Sequence, residues 1–142
     1  MPRLVALALM LLALGCQRGG GDALPPPVYG TATCASCQNV IAAPRHAAQL
    51  QRADGTVLSF DAPVCLFRAL RTENAPRVVR FHGEGDAWIA AADAWFASFP
   101  DDAGPHGGWA AFPSFAAAQD AVTQAGRGEI LAFDQARDRL GQ

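Results

Sequence analysis

The chain has 142 residues, of which 51% are hydrophobic and 17% charged, with a formal net charge of −2. That length fits one domain, and the composition excludes collagen-like, coiled-coil and multispan membrane classes. Lys is absent and all eleven basic residues are Arg, with no basic stripe, so the chain lacks the electrostatic footprint of a nucleic-acid binder.

Residues 1–15 read as a lipoprotein signal peptide. Arg3 supplies the positive start, and residues 4–14 form an apolar run too short to span a bilayer as a helix. The run ends Ala13-Leu14-Gly15-Cys16, which resembles a bacterial lipoprotein cleavage box with Cys16 as the acylated residue. The alternative is an ordinary secretory signal followed by a coincidental Cys. Gln17 after the cysteine fits sorting to the outer membrane, so the expected location is the periplasm, held to the membrane by a lipid anchor. Residues 16–33 read as a Gly/Pro-rich tether, because three consecutive Gly and three consecutive Pro leave few side chains to pack.

Residues 34–142 form the expected domain, and they read as a repeat. At an offset of 52, Gly55 aligns with Gly107, Phe60 with Phe112, Ala69 with Ala121 and Phe81 with Phe133, while Val78 and Val79 face Ile130 and Leu131. Two copies are too few for a solenoid and point to a duplicated α+β domain. In the first copy, about 34–82, residues 46–52 and 56–60 are extended runs joined across Asp54-Gly55, a hairpin signal. Asp61 is placed to cap a helix carrying Pro63 in its first turn and Leu66, Phe67 and Leu70 on its apolar stripe. Pro76 follows its end, and 77–81 returns as a strand. The second copy, about 87–134, offers 95–99, 108–112, a helix from Ser114 to a Gly126 stop, and 129–133. The expected architecture is two tandem ββαβ units forming one small α+β domain. Residues 88–96 fit either helix or strand, and the tail after Asp134 reads as a short surface helix or a frayed end.

The chemistry gathers at few residues. Cys34-Ala-Ser-Cys37 is the strongest signal, since two thiolates at that spacing chelate one soft metal; a Cys34–Cys37 disulfide is the bland alternative in an oxidising compartment. A redox motif of this spacing opens a long helix, whereas Pro44 follows here within seven residues. Cys65 falls in the first turn of the first helix, where exposed amides favour a thiolate, although a buried structural thiol fits equally. His106 sits in a loop rich in Gly and Pro, accessible as a neutral imidazole ligand. His46 and His82 read as surface residues at strand ends, and Trp88, Trp95 and Trp109 as core aromatics. Nothing resembles a nucleophile with its base or a phosphate-binding loop. The only two Met, Met1 and Met10, lie in the signal, so the domain holds no thioether.

These motifs in order, Cys37-Gln38-Asn39-Val40-Ile41, Ala47-Ala48-Gln49-Leu50, Phe60-Asp61 with Cys65, Trp88-Ile89-Ala90-Ala91, Pro105-His106-Gly107 and Ala111-Phe112, resemble the NosL family. The resemblance covers residues from about Cys34 to Phe133. It implies a periplasmic lipoprotein, not an enzyme, that binds Cu(I) and supplies it to nitrous oxide reductase or its maturation machinery. The implied domain is two ββαβ units, similar to organomercurial lyase. The chain departs from the family where it usually reads Cys-Gly-Met or Cys-Gln-Met, Pro-Met-Gly and Cys-Met: Asn39, His106 and Leu66 stand at those Met positions. The expected ligand set is therefore Cys37, Cys65 and His106, with Cys34 as a fourth donor or a partner of Cys37. A thiolate and imidazole set keeps Cu(I) competence and makes Zn(II) or another heavy metal a stronger competitor.

Overall fold

The computed structural model describes residues 24–101 and 108–142. The chain makes strands β1 (Ala48–Gln51) and β2 (Val57–Phe60), helix α1 (Pro63–Ala69), and strands β3 (Val78–His82) and β4 (Trp88–Ala90). It continues through a single 3-10 turn, Ala91–Asp93, into β5 (Trp95–Ser98), β6 (Trp109–Phe112), helix α2 (Phe115–Ala125), β7 (Ile130–Ala132) and helix α3 (Phe133–Leu140). Two antiparallel sheets result, ordered β2-β1-β3-β4 and β6-β5-β7. Each contains a ββαβ run whose first strand lies between the second and third, so the α+β architecture read from the sequence is the one formed.

Local chemistry explains where the elements start and stop. The β1–β2 hairpin turns at Gly55, whose φ of +89° is open to glycine, and Asp54 Oδ1 accepts from the Thr56 amide at 2.8 Å. Helix α2 begins on Ser114, whose Oγ accepts from the Ala117 amide at 3.1 Å, and ends at Gly126 in the left-handed conformation. The offset of 52 holds for the starts of β2 and β6, α1 and α2, and β3 and β7, but β1 and β5 start at Ala48 and Trp95. The second hairpin has a longer connection, which breaks the register of the repeat at its first strand.

Four expectations are corrected. Asp61 does not cap α1: the N-cap is Ala62, with no side-chain bond to a helix amide. His46 is not a strand residue but a turn residue at φ +73°. Phe133 opens α3 instead of closing a strand, and the ambiguous stretch resolves into β4, the 3-10 turn and β5. Residues 24–33, read as the end of a tether, lie against the first sheet, with Leu24 and Pro27 buried. Buried Arg80 donates from Nη2 to the Leu24 carbonyl at 2.6 Å and to Gln49 Oε1 at 2.5 Å, and Gln49 Nε2 reaches the Pro25 carbonyl at 3.0 Å. Those bonds satisfy two buried polar side chains that would otherwise be costly, which is why this segment is held down.

One aromatic core joins both units. Phe67 of α1 packs its ring 5.4 Å from Phe81 of β3, 5.0 Å from Phe96 of β5 and 5.7 Å from Phe133 of α3. Phe81 and Phe96 meet edge to face at 4.7 Å, a favoured aromatic geometry. Because Phe67 comes from α1, the helix that carries Cys65 is held by aromatic contacts from both units.

Candidate metal centre

Three segments converge at one end of the first sheet. Residues 28–41 form a tight loop: Gly30 donates to the Ile41 carbonyl at 2.9 Å, Cys34 to Asn39 at 2.8 Å, and Gln38 to Cys34 at 3.0 Å. Gln38 takes φ +66° to close that last turn, which bends the chain so that the Cys34 and Cys37 sulfurs both reach the same cluster. The Ala35 amide donates to the Ser59 carbonyl at 2.9 Å, fastening the loop to β2. Asp61 follows β2 immediately, and Cys65 lies in the first turn of α1. Strand end, helix start and loop thus place Cys34, Cys37, Asp61 and Cys65 with one ligand atom each, all within 4.8 Å of one another.

The three cysteines are free thiols, with Cys34 and Cys65 buried and Cys37 exposed. Cys37 Sγ donates to Asp61 Oδ1 at 3.4 Å and Oδ2 at 3.5 Å. The Cys65 thiol hydrogen-bonds the Cys34 sulfur and holds its pKa down to about 6; burial opposes this, and the amides of Cys37, Asp61 and Ser36 reinforce it. Cys65 in turn keeps its proton far above the ordinary thiol range, first because it donates to Cys34, then through burial and the nearby Asp61. Burial also raises Cys37. The thiolate expected at Cys65 from its helix position therefore sits at Cys34. The Cys65 amide is already committed to the Ala62 carbonyl at 3.1 Å and offers its own sulfur nothing.

This donor set fits a metal ion. Zinc–sulfur bonds of ~2.3 Å put tetrahedral ligand atoms roughly 3.8 Å apart, so atoms within 4.8 Å need only a small contraction to close on one ion. Soft thiolates select Cu(I), Zn(II) and similar ions, whereas a carboxylate oxygen favours harder ones. The cluster could therefore bind a metal. Cys34, Cys37 and Cys65, all expected from the sequence, are brought together.

His106 and Cys16 lie outside the described residues, as does the signal segment. The sequence reads Asp61 as a helix cap, and as the one acid near Cys65 that a carbon–metal cleavage could use, but not as a metal ligand. Its position directly after a strand and four residues before Cys65 is the signal for a ligand role. His82, read as a surface residue, is buried, with Nδ1 3.0 Å from the Gly83 carbonyl and its ring edge-on to Trp88 at 5.2 Å. Neither His82 nor His46 joins the cysteines. A groove of about 660 Å³ lies apart from them, floored by Phe99, Phe112 and Ala117 and rimmed by Arg45, Glu84 and Asp120. Among the described residues no helix is long and apolar enough to cross a membrane. Comparison with protein-family models, curated proteins and solved structures finds no match to this chain.

Proposed function

We propose that the chain binds Cu(I) at Cys34, Cys37 and Cys65 and delivers it as a NosL-type periplasmic lipoprotein, without catalysing a reaction. The recipient on this reading is nitrous oxide reductase or its maturation machinery, and Cys16 carries the lipid anchor in the outer membrane. One observation carries the metal-binding core of the reading: three thiol sulfurs and one carboxylate lie within 4.8 Å of one another in a domain that otherwise has no sulfur donor. A trigonal thiolate set suits a soft monovalent cargo, and His106 is a further donor at a position where the resembled family carries Met. Asp61 makes Zn(II) the natural competitor, because an oxygen donor completes a four-ligand site for it.

The test is Cu(I) affinity of the reduced chain, measured against a chelator of known strength. Cys34→Ala and Cys65→Ala should each weaken binding by more than about tenfold, since each removes a first-choice thiolate. Unchanged affinity in both would refute the site. His106→Ala weakening Cu(I) to a similar extent adds the imidazole to the ligand set, and wild-type affinity in that variant removes it.

A second reading is favoured by one specific contact. Paired thiols beside a placed acid are what protonolysis of a carbon–metal bond requires, and Asp61 lies 3.4 Å from Cys37 Sγ. In that reaction Asp61 takes the Cys37 thiol proton as the sulfur binds the metal, the carbon–metal bond breaks, the proton passes from Asp61 to the carbon, and the metal stays on the thiolates. Offered an organomercurial, the chain should bind it without releasing hydrocarbon; turnover abolished in Asp61→Asn would establish the enzymatic reading instead.

A further inference from the structure

We infer that Cys37 is the exchange ligand of the cluster, the sulfur through which a bound ion enters and leaves. This rests on the metal-binding reading above and adds a direction to it. Cys34 and Cys65 are 0% and 2% exposed, whereas Cys37 lies on the solvent side of the loop. Of the three sulfurs, Cys37 is therefore the one an acceptor meets from solvent. The buried pair is also the better anchored one. Cys34 has its amide bonded to Asn39 and its carbonyl to Gln38, while Cys65 is fixed in α1 beneath the Phe67 core. Asp61, 7% exposed, receives the Cys37 thiol and aims that sulfur over the cluster.

The segment that carries Cys37 has a distinct chemistry. No acidic, basic or His residue occurs between Leu24 and Pro44, although 17% of the whole chain is charged. Two of the three large hydrophobic residues exposed among those described, Val28 at 70% and Val40 at 49%, sit on this same segment, which the Gly30–Ile41 bond and the Thr33–Val40 bridge fold together. The segment that carries Cys37 therefore brings no charge of its own to an approaching acceptor thiol or imidazole, and the carboxylate at that sulfur is Asp61. In the transfer, bonds from the ion to Cys34 and Cys65 break as bonds to acceptor donors form, and the Cys37 bond breaks last. The ion keeps its oxidation state, and protons shed by acceptor thiols go to the freed cysteines or to solvent.

The experiment loads the reduced full-length chain with Cu(I) and follows its transfer to bicinchoninate by stopped-flow absorbance. Cys37→Ser, an exposed and conservative change, should slow transfer by about tenfold or more at matched loading, an added barrier near 1.4 kcal/mol. Its equilibrium affinity should fall less than in Cys65→Ala. Transfer from Cys37→Ser at or above the wild-type rate would overturn the exchange role while leaving the binding site intact. Failure of the wild-type chain to take up Cu(I) would instead remove the metal-binding reading on which it depends.

Discussion

At the scale of single residues, the cluster divides its protons unequally, and this predicts how the metal-free protein answers to pH. Cys34 ionises at about 6 in the folded chain against an ordinary value of 9.0, while Cys65 is raised by the same hydrogen bond. A depressed acid stabilises the fold above its unfolded pKa and loses that contribution as pH falls through its folded value. Between about pH 6 and 9 the unfolded chain keeps both protons and the folded chain only one, so stability rises with pH. Above 9.0 the unfolded chain releases both while folded Cys65 still holds its own, so stability declines again. Thermal unfolding of the reduced apo chain should therefore show a maximum near pH 9, absent in Cys34→Ala. Thiolate absorbance should report one group titrating near pH 6. The inequality was hidden in the sequence, where Cys65 at a helix start reads as the thiolate. Only the arrival of the Cys34 loop, through the Ala35–Ser59 bond, reverses the order.

At the scale of elements, the strands and helices were the legible part. The Asp54-Gly55 turn, the Ser114 cap and the Gly126 stop act through bonds within four residues, and such signals survive in the sequence. What was not legible depends on distant partners. Asp61 has the composition of a cap but spends its carboxylate on Cys37, twenty-four residues away in the chain. The segment from Leu24 looks like a linker until Arg80, fifty-six residues on, binds its carbonyl. Glycines divide in the same way. Gly55 has φ +89° with open space where a Cβ would go, so Gly55→Ala meets only backbone strain, about 1 kcal/mol. Gly128, at φ +145° between α2 and β7, would drive a Cβ into the Ser98 carbonyl of β5 and against Val122 of α2. Gly128→Ala should destabilise the chain by roughly 2–4 kcal/mol, read from denaturant midpoints, and should do so more than Gly55→Ala. Equal midpoints for the two variants would contradict the close approach of β5, β7 and α2.

At the scale of the whole molecule, duplication and core together explain why the cysteine cluster sits where it does. Both units share the ββαβ order, yet only the first carries cysteines: Ala117 stands at the repeat position of Cys65, and Pro113 at that of Asp61. The second unit gives Phe96 and Phe133 to the core that grips Phe67, and so holds α1, with Cys65, against the loop of Cys34 and Cys37. The repeat was legible from the Phe spacing because aromatic core positions tolerate little change. The division of labour between its copies was not, since it lies in residues the repeat does not match. The central claim is that this cluster is a soft-metal site. The direct measurement is a competition titration of the reduced full-length chain with Cu(I) and Zn(II) against chelators of known affinity. The account predicts one tightly held Cu(I) per chain that Zn(II) does not displace. Binding of neither ion would contradict it.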